Sequence, residues 1–564
     1  MQIEETVDRL MKTSSTLSWL KSDSAIRALQ FLIGVTAIGF IFWQLQFSTS
    51  AICCGDFDGY YHVKWTQVLW ESIKSRHTVS PFPWLPLTTL NLRDYVDHHL
   101  LFHIFLIPFT RSEDPRLGAK IASALFGGLA VVSCYWLLIR YRIRFVLVWL
   151  VAILACSAPF LFRMNMAKAP PFALIYLAIA IHLLFQKKYW PLFPVAFLFT
   201  ETYDLFPLLL AAALMWAAVV GWTESRAEWR PVMWVVLGIA AGLVINPYFP
   251  RNVVLMYAHA KMKLTAHDFN TKVGGEWYPY DSWEFLGNSL VACISMVVGY
   301  VALDPGEKRR GHPLFFALFS TLLLIMIARW RRIAEYWPPF AVMFAAFSLQ
   351  PWLDGTRSTI SRLPRDIMQE LEPFFDRDSY DEASFIETIK TIVAAFIALL
   401  FGVALFFNLH ASGKEIGQSQ PHEYFQAGAQ WLKAHVPSGH VIFNTDWDDF
   451  PRLFYFDSEH YYVSGLDPTY LYDRDSSLSQ LYDRITLGKE DDPGPLIRDR
   501  FGATYVFSDN EHDDFFEKAR ASGWFEIVYE DEQCTIMRIR DEKLSPLDPK
   551  EGYPAEDDVG GNRP

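Results

Sequence analysis

Four stretches of this chain run for 18 to 20 residues without a charge: Ala28–Phe47, Phe145–Phe162, Pro231–Pro250 and Thr391–His410. A helix rises 1.5 Å per residue, so each is long enough to cross a hydrocarbon core of ~30 Å. Further apolar runs near 117–138, 172–186, 190–203, 204–221, 285–303, 313–330 and 333–351 bring the expected crossings to eleven. The stretch Trp190–Trp222 is continuous except for Glu201-Thr202-Tyr203-Asp204, and it is divided there because 33 residues are too many for one span. A soluble enzyme is excluded. A polytopic helical membrane protein of about 11 to 13 transmembrane helices is the expectation.

Basic residues mark the side of a membrane protein that stays in the cytoplasm. Arg9, Lys12, Lys21 and Arg27 precede the first span, which places the N-terminus inside. The inside loops then hold Arg140, Arg142 and Arg144, the pair Lys187-Lys188, and Lys308-Arg309-Arg310. An odd number of spans puts everything after residue 410 outside. The first span is long and has no small-residue cleavage site after it, so it is expected to remain as an anchor.

Charge divides the chain at the same place. Residues 411–564 carry 15 Lys and Arg against 31 Asp and Glu, net −16, which leaves residues 1–410 at +4 of the overall −12. An acidic outer half speaks against nucleic acid as a partner. Six cysteines without paired spacing suggest neither a disulfide framework nor a zinc site. The expected domains are therefore a membrane domain, 1–410, with outer loops 48–116 and 251–284, an α/β domain, 411–543, and a Pro- and Asp-rich disordered tail, 544–564. The α/β domain rests on a helix pattern from His422 to His435, a Pro437-Ser438-Gly439 turn, and apolar strand candidates at Val441–Phe443, Thr504–Phe507 and Thr535–Ile539. Residues 351–387 are expected to be a polar, mostly helical inside loop, amphipathic between Ile367 and Phe375.

Polar constellations collect in the segments expected outside. Asp56 and Asp58 stand at the end of the first span, where a carboxylate is expensive unless neutralised, usually by a hard divalent cation with a phosphate partner, or they simply begin a solvated loop. The same loop holds Asp97-His98-His99 and His103, with His99 and His103 spaced to share a helix face; Asp and imidazole so placed suit a metal, or are ordinary interfacial polar tips. In the next long loop Gly274-Gly275 precede Glu276, a hinge able to swing one carboxylate over a substrate. Arg329, Arg331 and Arg332 crowd the outer end of a span where basic residues are disfavoured, and guanidinium is the favoured phosphate partner. Asp446-Trp447-Asp448-Asp449 follow the first strand of the outer domain, where α/β domains carry binding loops.

In this order the motifs resemble the catalytic subunit of oligosaccharyltransferases, membrane glycosyltransferases of the GT-C fold. Phe57-Asp58-Gly59-Tyr60-Tyr61-His62 is similar to the first-loop motif whose Asp binds metal and the acceptor amide. Val273-Gly274-Gly275-Glu276-Trp277-Tyr278-Pro279 with Trp283 resembles the flexible outer loop whose Glu contacts the acceptor. Arg331, seven residues before Pro338, matches a substrate-binding Arg, and Trp447-Asp448 match the end of the Trp-Trp-Asp signature that reads the acceptor sequon. Asp446 stands where the first Trp of that signature belongs. Residues 162–171 lack the acidic metal motif of the second outer loop.

The resemblance implies transfer of a glycan from a polyprenyl-phosphate or polyprenyl-diphosphate donor to a protein, lipid or polysaccharide acceptor on the outer face of a prokaryotic inner membrane. It implies catalytic roles for Asp58, Glu276 and Arg331, acceptor contacts from Trp447 and Asp448, and a divalent cation, Mn²⁺ or Mg²⁺. With the second-loop carboxylates missing, the cation is expected on Asp56, Asp58, Asp97 and His99, a mixed N/O set better suited to Mn²⁺. The alternatives are monosaccharide transfer to a lipid or polysaccharide and, outside enzymes, a transport or envelope-assembly protein.

Overall fold

The computed structural model describes residues 23–52, 57–76, 79–265, 274–303, 311–354 and 382–543. The basic N-terminal residues before position 23, Asp56, the triplet Lys308-Arg309-Arg310, the amphipathic segment 367–375 and the tail 544–564 lie outside them. All eleven apolar runs are helical. Among the described residues, four helices are long and apolar enough to cross a membrane: Asp23–Gln46, Pro115–Arg140, Pro207–Glu224 and the Ile386–Gly417 part of Glu382–Gly417. Two expected straight spans are instead broken. Val146–Leu154 meets Ala158–Met164 at 81°, and Ser282–Asn288 meets Leu290–Ala302 at 84°. Counting each bent pair as one span gives six; Pro170–Phe185, Leu192–Thr202, Arg230–Ile245 and Gly311–Ile327 are apolar but shorter. The loop expected at 48–116 also contains an apolar helix, Leu100–Thr110, whose 11 residues reach about half of a bilayer core.

The chain forms two compact units. The membrane unit comprises residues 1–56, 98–249 and 275–419; the second gathers 57–97, 250–274 and 420–564, so part of the first outer loop belongs with the C-terminal region. In the membrane unit, helix starts are set by proline at the first turn of Pro115–Arg140, Pro170–Phe185, Pro207–Glu224 and Arg230–Ile245, where the missing N–H costs nothing. Helix 230–245 carries Gly238 and Gly242, and a Cβ on Gly238 would stand 2.4 Å from the Phe193 carbonyl. The two glycines let this helix approach 192–202 closely, the small-residue packing that replaces hydrophobic driving force in lipid. Phe396, Leu399 and Phe406 of the long last helix are exposed and apolar, as a lipid-facing surface requires.

The second unit contains a five-stranded mixed sheet, β1 (Val441–Asn444), β2 (Tyr461–Tyr462), β3 (Ala503–Asp509), β4 (Phe525–Glu530) and β5 (Cys534–Ile539), in the order β2-β1-β3-β5-β4. β1 is parallel to β2 and β3, whereas β5 runs antiparallel to β3 and β4. The three strands expected from sequence are β1, β3 and β5. β2 is two residues long and β4 is half-exposed, so neither offers an apolar run. The 57–97 segment supplies helix Asp58–Lys74, and its Trp65, Phe82 and Tyr95 form an aromatic core with Phe450 and Phe454.

Candidate functional site in the membrane unit

Both broken spans bend at a buried serine. Ser157 caps Ala158–Met164 by accepting from the Phe160 N–H, and Ser289 donates to Ser157 Oγ at 3.0 Å, which ties the two pivots together. Arg163 lies in the last turn of 158–164, and a 3₁₀ turn, Gly275–Trp277, carries Glu276. A second 3₁₀ turn, Arg331–Glu335, precedes helix Trp337–Asp354.

Four charges meet there. Arg163 donates from Nε to Glu335 Oε1 at 2.7 Å and from Nη2 to Glu276 Oε2 at 2.6 Å. Arg332 donates from Nη1 to Glu276 Oε1 at 2.8 Å and from Nη2 to Tyr203 Oη at 2.8 Å. Each oxygen of Glu276 is thus held by a different guanidinium. Glu335 is fully buried, and its second oxygen has no hydrogen-bond partner. Burial opposes the charge on Glu276, but Arg332, Arg163 and Lys168 outweigh it and hold its carboxyl well below the usual carboxylate range. Paired ions are the form in which such charges survive away from water.

Arg331, the arginine chosen from sequence, takes the other side of its turn. Successive residues of a 3₁₀ helix project about 120° apart, so only one of the adjacent arginines can point inward. Arg331 lies over the Tyr280 ring at 5.1 Å, donates to Pro279 O, and its backbone N–H bonds Tyr278 O, which anchors the Glu276 loop. The residues that sequence reasoning did not single out are Arg163, Glu335 and Tyr203, and Arg332 stood out only as a member of the arginine cluster. Their available signal was a charge set within or against an apolar span, which is expensive unless functional or paired.

Of the set implied for a cation, Asp56, Asp58, Asp97 and His99, Asp56 lies outside the described residues, and Asp97 and His99 have partners of their own. Asp97 is buried and accepts from Trp65 Nε1 at 2.8 Å, so it serves the aromatic core of the second unit. His99 faces Asp204 instead, with Nε2 at 3.2 Å from Oδ1. Among the described residues, the one group of three or more His, Cys, Asp and Glu with ligand atoms close enough for a metal is His98, His99 and Asp204.

In the second unit, Asp58 opens helix 58–74, where the positive end of the helix dipole favours a carboxylate. The buried Arg452 stacks on Phe57 and Tyr60 beside it and donates to the Gln420 and Pro421 carbonyls. Trp447 is half-buried and Asp448 exposed, directly after β1, and an Asp446 side chain accepting the Asp448 N–H shapes the turn. Asp449 is buried with one oxygen lacking a partner. Burial first, then the neighbouring Asp509, Asp446 and Asp448, push its carboxyl well above the usual range.

No family model matches the sequence, and no curated protein matches it. Solved structures do. The archaeal oligosaccharyltransferase AglB from Archaeoglobus fulgidus, in complex with an inhibitory peptide and a dolichol-phosphate, aligns at a TM-score of 0.55 with 11% identity, over 88% of this chain and 72% of that one. ArnT from Cupriavidus metallidurans bound to undecaprenyl phosphate aligns at 0.53 with 12% identity, over 92% of this chain and 100% of that one. The same ArnT in the apo state aligns at 0.50 with 13% identity, over 90% and 98%. The chain is an integral membrane protein with the fold of these GT-C glycosyltransferases.

Proposed function

We propose that the chain is a membrane glycosyltransferase that moves a glycan from a polyprenyl-phosphate or polyprenyl-diphosphate donor to an acceptor on the extracytoplasmic face. The observation that carries this is the pair Arg163 and Arg332, partly buried, converging, and held by a carboxylate on a loop that follows two glycines. Both solved relatives with a bound lipid hold a polyprenyl phosphate, which is the anion this pair suits. When the glycosyl carbon leaves the donor for an acceptor nucleophile, the electron pair of the breaking C–O bond stays on the phosphate. Two fixed guanidiniums in a dry pocket stabilise that charge without reorganising. Glu276 holds the loop closed over the arginines until donor phosphate takes them, and Arg331 keeps the loop's far side in place. On the resemblance, Asp58 orients the acceptor, and Trp447 with Asp448 contacts it.

A second acceptor class has its own support. Asp446 in place of the first Trp of the Trp-Trp-Asp signature favours a lipid or polysaccharide acceptor over a protein sequon. Mass spectrometry of glycans on envelope proteins and on lipids from a deletion strain separates the two, and no change in either pool refutes transfer. In a purified assay, Arg163→Ala is expected to remove donor turnover; full turnover in that variant ends the phosphate assignment. A reporter fused after Leu409 should be active only outside the cytoplasm.

A further inference from the structure

We propose that His98, His99 and Asp204 bind one divalent cation of the borderline, zinc-like class. His98 and His99 precede helix 100–110, and Asp204 lies in the break between helices 192–202 and 207–224. One ligand atom from each of the three lies within 4.8 Å of the others. Two ligand atoms about 2 Å from one tetrahedral ion are about 3.3 Å apart, and His99 Nε2 and Asp204 Oδ1 already stand 3.2 Å apart.

A His–Asp hydrogen bond alone would need one imidazole. Here a second converges, with the His98 and His99 ring centroids 4.1 Å apart. The ring of His99 also lies nearly parallel to that of Tyr203 at 5.5 Å, which fixes its direction. The Asp204 side chain is 35% exposed and that of His99 13%, so an ion has an entry and a partly desolvated seat. Two imidazoles and one carboxylate suit Zn²⁺ and its neighbours and leave a fourth position open, whereas Mg²⁺ prefers oxygen ligands. Tyr203, the residue before Asp204, receives two of the Arg332 hydrogen bonds, so the ion would add positive charge next to the phosphate-binding arginines. That role rests on the glycosyltransferase reading; the binding itself does not.

The test uses the full chain in detergent, untagged and stripped with EDTA, with no donor or acceptor present. Co²⁺ is added as an optical probe, and Zn²⁺ uptake is measured by equilibrium dialysis. One ion per chain is expected, with ligand-field absorption from Co²⁺. Asp204→Asn and His98→Gln should each weaken Zn²⁺ binding by at least about tenfold, since even outer-shell partners of metal ligands cost that much. His512→Gln, which alters a carboxylate–imidazole pair in the other unit, should leave binding unchanged. On the wild-type chain, bound Zn²⁺ should protect His98 and His99 from diethylpyrocarbonate, read by peptide mass spectrometry, so the site is tested even where a variant fails to fold. Absence of stoichiometric uptake, unchanged binding in both site variants, or modification of both histidines at saturating Zn²⁺ overturns the site. Donor turnover is assayed separately, so failure of either proposal leaves the other standing.

Discussion

The two units handle buried charge in opposite ways. In the membrane unit Arg163 and Arg332 are matched against Glu276 and Glu335. In the second unit Asp446, Asp448, Asp449 and Asp509 crowd the carboxyl ends of parallel strands, and Asp449 is held toward its neutral form. The difference teaches that the first arrangement is built around opposite ions, so removing one member exposes another. The second is built around a carboxyl that gives up its charge, so removing that charge relieves it.

The sharpest way to break the comparison is Glu335→Ala. It leaves Arg163 without its fully buried partner, and truncating one side of a buried ion pair costs about 3–5 kcal/mol. A clear fall in the thermal midpoint of the full chain in detergent is expected; an unchanged midpoint means water reaches this cluster. Next comes Glu276→Gln, which keeps the loop's shape but frees the guanidiniums from a competing carboxylate. We expect donor KM to fall, because phosphate no longer displaces an anion; an unchanged KM would remove Glu276 as the competitor for the arginines. Asp58→Ala should lower kcat by roughly 10²–10³, as for a lost preorganised charge contact, with membrane abundance maintained, and wild-type turnover in that variant would remove the acceptor role.

On the other side of the comparison, Asp449→Asn is expected to stabilise the second unit at neutral pH by about 1–3 kcal/mol, the cost range of an unsatisfied buried polar group. The sign follows from linkage. A carboxyl with a raised folded pKa makes its full contribution below the unfolded value of about 3.9, and that contribution is lost as pH rises toward the folded value. The variant's advantage should therefore vanish near pH 4, as read by hydrogen exchange of the sheet amides; an advantage independent of pH would place the effect in packing.

The smallest effect belongs to His460, fully buried with Nδ1 at 2.6 Å from Asp457 Oδ2 and Nε2 at 3.1 Å from Val436 O. Both ring nitrogens face acceptors. Burial lowers its pKa, but Asp457 and the carbonyl raise it further, so the imidazolium is favoured. Its contribution is complete below about pH 6.5 and is lost as pH rises through the folded value. Exchange protection of β2 should decline over that window in wild type and not in His460→Gln.

Periodicity and charge could be read because they are local. Every apolar run is helical, two of them as bent pairs, Trp190–Trp222 does divide at Tyr203, and the strands with apolar runs are β1, β3 and β5. Ser157 and Ser289 gave no such signal, since a serine inside an apolar run looks like any small residue until a second serine meets it. The candidate site was partly legible. Glu276 stood out by its glycines, and the arginine cluster by its position, but choosing Arg331 over Arg332 needed the phase of a five-residue turn, which composition does not contain.

What the sequence determined alone is the membrane class, the acidic C-terminal region and the residue types available for charge pairing, because hydrocarbon thickness and charge cost act on each segment independently. What tertiary structure decided is partnership. Asp97 went to Trp65, His99 to Asp204, and Glu276 to two arginines that lie 113 and 56 positions away. A buried charge takes whichever opposite group the fold delivers within hydrogen-bond reach, and that reach of about 3 Å is set by helix breaks and turns far from the residue itself.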